Sequence, residues 1–302
     1  MKKLISIILA MLLHVGCSQA TTPTVNIMVP VTPGGPMNQI ALALGQELND
    51  NGISTITTFR PGANGDIATN VAIKEKDNVI LEVAIAHVLF SNIVAKRENI
   101  HTRSMVIFGP LVRSSLGFII SNKFSNDKKI NTFAEFIEYA QAHPVSCGTS
   151  AAHGGFELDR INQQYHTRFE TIPYKGGGEL RPNLIGGELE CAYDSVGSHM
   201  PSYLHKDFKI LAVATKTNGL AVPLINTVLI GYTFDNWFGF AIPVDSNLLK
   251  DPKIVKIIYN FSKSKYLNSM FATYGFDPAI PNKNINQLID NDTKKYEKLG
   301  PK

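Results

Sequence analysis

The stretch VNIMVPVTPGGPMNQIALALGQEL, residues 25–48, sets the grammar of the chain. Its first seven residues are an apolar, β-branched run that predicts a strand over 25–31. A turn follows, Pro33-Gly34-Gly35-Pro36. Beyond it Ile40, Leu44 and Leu48 recur at helical spacing, with Ala41 beside Ile40 on the same face. Strand, glycine turn and amphipathic helix make a β-α unit whose glycines let backbone approach a ligand at the helix N-terminus.

The unit repeats outward from there. Strands are expected over 54–59, 79–84, 105–112 and 117–121, and helix over 66–76. Phe133, Phe136, Ile137 and Ala140 mark another helix, with Thr132 as its N-cap and Glu135 three residues on. The second half reads as strand 145–149, helix 156–165, strand 169–174, helix 179–185, and strands 190–194 and 209–215. Helices are expected over 248–261 and 284–299, packed back onto the first part of the chain. Such alternation predicts α/β layers with largely parallel sheets.

The chain has 302 residues, 44% of them hydrophobic and 18% charged, which is globular composition with length enough for two domains. Its net charge is +4; Lys2 and Lys3 supply two of these, leaving +2 for the rest. That is too small an excess to argue for nucleic acid. Residues 1–20 have signal-peptide anatomy: Lys2 and Lys3, the apolar run 4–13, then Ser18-Gln19-Ala20 before a cleavage point. Val15-Gly16-Cys17 also half fits a lipoprotein signal, so removal after Ala20 and lipidation at Cys17 both stand open. The expected location is periplasmic. Cys147 and Cys191 both fall near strand ends of the second half, and an oxidising compartment permits a bond between them without requiring one.

Two further turns share the chemistry of the first: Arg60-Pro61-Gly62-Ala63-Asn64-Gly65 and Gly148-Thr149-Ser150-Ala151-Ala152-His153-Gly154-Gly155. Each runs from a strand toward a helix start, where unpaired N–H groups and the helix dipole favour an anion. The third turn also admits an enzyme reading, a serine hydrolase with Ser150 as nucleophile. It holds only half of a G-x-S-x-G elbow, and His153-Gly154-Gly155 follows the serine where an oxyanion loop comes from an earlier connection. Eight histidines are scattered without H-E-x-x-H or paired C-x-x-C spacing, and neither phosphate-binding glycine motif is present. No metal or other cofactor is expected.

Five fragments, in order, resemble the Bug family of extracytoplasmic receptors for tripartite tricarboxylate transporters. They are Val29-Pro30 with Pro33-Gly34-Gly35; Arg60-Pro61-Gly62-Ala63 with Gly65; Pro173-Tyr174-Lys175-Gly176-Gly177-Gly178; Leu184-Ile185-Gly186-Gly187-Glu188-Leu189 followed by Asp194; and Trp237-Phe238-Gly239-Phe240-Ala241-Ile242-Pro243. The resemblance implies a periplasmic-binding-protein type II architecture, two α/β lobes with a ligand cleft between them. Lobe 1 is expected over 21–118 and 236–302, and lobe 2 over 119–235. It implies capture of a small carboxylate by a monomer, without catalysis, and delivery to membrane permease subunits; sensing is the alternative use.

Carried over onto this chain, the ligand-binding positions are Gly34, Gly35, Pro36, Met37 and Asn38 in the first loop, and Asn64 in the second. Lobe 2 would offer Thr149, Ser150, His153, Tyr174, Asp194 and Ser195. The family usually reads Gly-Thr-Asp where this chain has Pro36-Met37-Asn38. Pro36 removes an amide donor, and Met37 puts an apolar side chain in place of a hydroxyl. The ligand is therefore expected to have an added apolar part, or one bond fewer to its carboxylate. A side chain at Gly35 is expected to block close approach. His153 is read either as a surface-loop residue or as an anion donor that strengthens below about pH 6.5.

Overall fold

The structure is a computed structural model that describes residues 24–84, 103–150, 152–217, 219–234 and 236–299. The leader and Cys17 lie outside the described residues. Two sheets organise the chain. The first has six strands in the order β11-β4-β10-β3-β1-β2: β1 (Val25–Val29), β2 (Thr55–Phe59), β3 (Val79–Ala84), β4 (Met105–Ser114), β10 (Trp237–Pro243) and β11 (Phe276–Pro278). The second has five in the order β7-β6-β8-β5-β9: β5 (Leu116–Ser121), β6 (Val145–Thr149), β7 (Phe169–Pro173), β8 (Cys191–Ser195) and β9 (Phe208–Val213).

The sheets are mixed, which corrects the expectation of largely parallel ones. β1 pairs in parallel with β2 and β3, and β6 with β7 and β8. The strand that arrives from the other lobe is antiparallel in each case: β10 against β3 and β4, β5 against β8 and β9. Each sheet thus follows one plan, with the visiting strand beside the third parallel strand. The reversal follows from chain path, because a strand entering from the facing lobe runs opposite to those whose carboxyl ends look toward that lobe. The first crossing falls at Ser114-Ser115, so residues 116–118 belong with the second sheet, not with lobe 1 as expected from the resemblance.

Helices cover both sheets: α1 (Pro36–Asp50), α2 (Asp66–Lys74), α3 (Asn122–Lys128), α4 (Phe133–Ala142), α5 (Ala152–Tyr165), α6 (Gly177–Gly186), α7 (Pro252–Tyr259) and α8 (Ile285–Leu299). α1 starts with Pro36 at its first position, where a missing N–H costs nothing. It buries Ile40, Ala41, Leu44 and Leu48 against β1, and Ile254 and Ile258 of α7 join the same core. α4 has the expected capping box: Thr132 Oγ1 accepts from Glu135 N–H at 3.2 Å, and Glu135 Oε2 accepts from Thr132 N–H at 2.9 Å. In the second lobe Phe118, Phe136, Phe169 and Tyr193 pack ring on ring, with centroids 4.8–5.7 Å from Phe118 or Phe136.

Two buried features have consequences for stability. Cys147 and Cys191 face each other in register on β6 and β8 and form a disulfide, with Cα atoms 4.5 Å apart. Glu82 sits on β3, fully buried, and neither of its carboxyl oxygens has a hydrogen-bond partner among the described residues. Burial therefore pushes its pKa well above 4.5, the ordinary value.

Closing a loop across 44 residues stabilises by about 4 kcal/mol in the chain-entropy model. Replacing both cysteines by serine is expected to lower the urea unfolding free energy by up to that amount; unfolding at an unchanged midpoint and slope would contradict it. Glu82 holds its proton when folded and loses it when unfolded, so its contribution falls as pH rises above the unfolded pKa. Glu82→Gln is expected to raise the melting temperature relative to the parent more at pH 8 than at pH 5. A difference that does not change with pH would count against a buried neutral carboxyl.

Candidate functional site

A cavity of about 50 Å³ lies between the lobes, at the carboxyl ends of β1, β3, β6 and β8. Lobe 1 supplies Val31, Gly35, Pro36, Met37, Ala84 and Phe238; lobe 2 supplies Ser150, His153, Gly176, Gly177, Asp194, Ser195 and Ser198; Asn236 sits on the crossing. Ligands collect at carboxyl ends of strands in open α/β sheets because loop backbone and helix starts converge there.

Three helix N-termini do converge on it. α1 begins at Pro36, α5 at Ala152 and α6 at Gly177, each after a strand and a short turn. Each brings unpaired amides and roughly half a positive charge. α5 starts four residues earlier than the sequence suggested, since Gly154 and Gly155 are poor helix formers. Packing explains them: a Cβ on Gly154 would stand 2.8 Å from Thr149 Cβ, so the helix lies too close to β6 for a side chain. The early start places His153 in the first helical turn.

At the lobe-2 wall Asp194 is the centre of a buried network. Ser150 Oγ donates to its Oδ1 at 2.5 Å, and His199 Nε2 stands 3.0 Å from its Oδ2. Asp194 is 3% and His199 0% exposed. Beside them Ser195 Oγ bonds Ser114 Oγ at 2.9 Å, which ties the wall to the first crossing. Asn236 on the second crossing donates to the Ser114 carbonyl at 2.8 Å, and Ser114 N–H donates back to the Asn236 carbonyl at 3.2 Å. The two crossing segments are thus bonded to each other at the edge of the cavity.

His153 is buried, which overturns the surface-loop reading. Its ring stacks on Phe234 with centroids 5.5 Å apart and planes 17° apart. Burial pushes its pKa down to about 4, against a smaller upward pull from Asp194. The imidazole is therefore neutral at neutral pH, and the expected strengthening below pH 6.5 does not hold.

The remaining sequence expectations divide by position. Gly35, Pro36, Met37, Ser150, His153, Asp194 and Ser195 line the cavity; Gly34, Asn38, Asn64, Thr149 and Tyr174 are not among its lining residues. Asn38 is in the first turn of α1, half-buried. Asn64 takes a left-handed conformation, φ 56°, in the short turn ahead of α2. Thr149 is buried, and its carbonyl accepts from Tyr174 N–H at 2.8 Å. Gly34 needs its glycine for φ +100° and packs against Gly178 of the other lobe.

The tightest approach between lobes is not at Gly35, where a Cβ would meet nothing nearer than 3.8 Å. It is at the start of α6. A Cβ on Gly176 would lie 2.4 Å from Thr32 Oγ1, and one on Gly178 would lie 2.4 Å from the Pro33 carbonyl oxygen. Thr32 N–H also donates to the Lys175 carbonyl at 3.4 Å. These glycines belong to the Pro173–Gly178 motif, of which Tyr174 alone was an expected binding position. Ser198 and Asn236 carried no motif, and nothing local marked them.

The sequence profile of the tripartite tricarboxylate transporter family receptor matches residues 39–300. The chain is 24% identical over 278 residues to the protein BugT of Bordetella pertussis, covering 85% of this chain and 81% of that one. The solved structure of R. palustris Rpa4515 with adipate has a TM-score of 0.79 at 19% identity, covering 93% of this chain and 97% of that one. MatC from Rhodopseudomonas palustris with bound malate has a TM-score of 0.75 at 14% identity, covering 91% and 98%. These two share the fold, an α/β periplasmic-binding-protein architecture of two sheets with a cleft between them. Sequence profile, fold and cleft agree: the chain belongs to the tripartite tricarboxylate transporter receptor family.

Proposed function

We propose that this receptor captures a small carboxylate between its lobes and presents the closed form to a membrane permease. The convergence of three helix N-termini on one interlobe cavity carries the reading, since it supplies amide donors and positive potential to an anion. The solved relatives with adipate and malate support it by fold. A ligand that touches both lobes only when they are shut shifts the chain toward the shut form. Gly35, Pro36, Met37, Ser150, His153, Asp194 and Ser195 are the binding positions we propose, with Gly176 and Gly177 added.

The protein acts outside the cytoplasm as a monomer, released or lipid-anchored at Cys17. No helix among the described residues is long and apolar enough to cross a membrane. It catalyses nothing in this reading. Ser150 donates to a carboxylate, and the imidazole on the adjoining helical turn has a pKa of about 4, a weak base for a nucleophile at neutral pH.

Trp237 is buried on β10 between two cavity residues, Asn236 and Phe238, so its fluorescence reports the site. Titration of residues 21–302 with mono-, di- and tricarboxylates and a neutral sugar is expected to give a saturable change with an acid and none with the sugar. At a hundredfold excess over Kd the ligand adds about 2.7 kcal/mol of stability. No response to any acid, from folded and ligand-free protein, would overturn the reading. Gly178→Ala is expected to hold the lobes apart and weaken ligand affinity at least tenfold, while the ligand-free melting temperature stays within a few degrees. Unchanged affinity would remove the glycine contact from closure. His153→Gln is expected to leave the ratio of affinities at pH 6 and pH 8 as it is in the parent, because His153 stays neutral over that range; a changed ratio would contradict its burial.

A further inference from the structure

The lobes touch on both sides of the crossings. β4, β5 and β10 carry the chain across, at Ser114-Ser115 and at Asn236. In the six-stranded sheet β3 and β1 lie beyond β10, and β11 lies beyond β4 on the opposite side. In the five-stranded sheet β8, β6 and β7 lie on one side of β5, and β9 lies on the other. The cavity and the glycine seam sit at the loops after β1, β3, β6, β7 and β8, all on the first side. The turn before β11 and the segment after β9 meet on the second side, behind the crossings.

That rear contact is closely packed. Gly275 ends the short helix Phe271–Tyr274 in a left-handed conformation, φ +58°. A Cβ there would stand 3.1 Å from Thr217 Cγ2, just beyond β9, and 3.3 Å from Met200 Cγ, at the start of the short helix Met200–Leu204. Nearer the crossing the fit is tighter still. A Cβ on Gly197 would stand 2.6 Å from Phe276 Cε1, 2.9 Å from Ser114 Oγ and 3.1 Å from the Tyr274 carbonyl oxygen. Met200, Thr217 and Phe276 are buried, so side chains fill this space.

A pivot that lies between two contacts couples them with opposite sign. Rotation that parts Gly176 and Gly178 from the first loop swings the rear surfaces toward each other. Atoms already in van der Waals contact resist that steeply, because packed interiors have low compressibility and overpacking is costly. The rear surfaces close further only as far as Met200, unbranched and flexible, gives way.

We infer that the contact of Gly197 with Phe276, and of Met200 and Thr217 with Gly275, is the stop that limits opening, so that these residues set ligand affinity without touching the ligand. This rests on the capture-by-closure reading above and deepens it. The apparent Kd is the intrinsic Kd divided by the fraction of ligand-free protein that is shut. Bulk added behind the crossings raises that fraction, and bulk removed lowers it.

The test uses two variants of opposite sign in residues 21–302. Gly275→Asn adds bulk with a side chain that tolerates the left-handed region. Its Cβ asks a few tenths of an ångström of Thr217 and Met200 in the shut form, and more as the rear narrows. Met200→Ala hollows the same contact. Small-angle scattering of the ligand-free proteins is expected to give a smaller radius of gyration than the parent for Gly275→Asn and a larger one for Met200→Ala. Calorimetry with succinate at pH 7 is expected to give at least threefold tighter binding for the first and at least threefold weaker for the second. A merely structural role would not tighten binding in either. Unchanged or reversed radii in the folded variants would overturn the inference. If one variant does not fold, the radius of the other decides by the same rule. If succinate does not bind the parent, the ligand-free radii still decide the stop, and the capture reading stands or falls on the titration above.

Discussion

The lobes meet backbone to backbone where the start of α6 faces the first loop. Thr32 donates to the Lys175 carbonyl, and Gly176 and Gly178 come so near Thr32 and Pro33 that no Cβ fits between them. Everything at the cavity depends on that approach. It brings the N-termini of α1 and α6 to opposite sides of one small space, and it shuts the wall beside Ser198. Side chains at this seam would hold the helix ends apart, and the site would lose the amides of one lobe. Elsewhere the junction is made by two crossing segments, at Ser114-Ser115 and Asn236, bonded to each other, and by Gly197 and Met200, which pack on Phe276 and Gly275 of the first lobe.

Charge in the cleft is organised without a fixed cation among the described lining residues. A guanidinium clamp would hold a carboxylate in either lobe, open or closed. Helix ends and glycine amides act only at short range, and those of the two lobes add only when the lobes shut. Binding energy is thereby coupled to closure, as a receptor that signals its loaded state requires. The Ser150–Asp194–His199 network serves the same economy. It fixes a buried carboxylate on β8 with hydrogen bonds to both oxygens.

Much of this was legible in the sequence, and the exceptions have physical causes. Local patterns found the strands at 79–84 and 145–149 to the residue and the Thr132–Glu135 capping box, because periodicity and capping are local. The antiparallel entry of β5 and β10 was not legible, since pairing with the facing lobe leaves no local trace. α5 was read short because Gly154 and Gly155 speak against helix, and only the proximity of β6 explains them. The same error left His153 in a loop, from which its burial and depressed pKa could not follow. At the cleft, motif residues such as Gly35, Asp194 and Ser195 were found. Ser198 and Asn236 were missed because position alone, not residue type, brings them to the cavity.

The central claim is that a carboxylate draws the lobes onto the glycine seam. Small-angle X-ray scattering of the ligand-free and the saturated protein tests it most directly. The account predicts a smaller radius of gyration at saturation, with a saturated curve that fits the closed arrangement described here. Identical scattering with and without a bound carboxylate would contradict it.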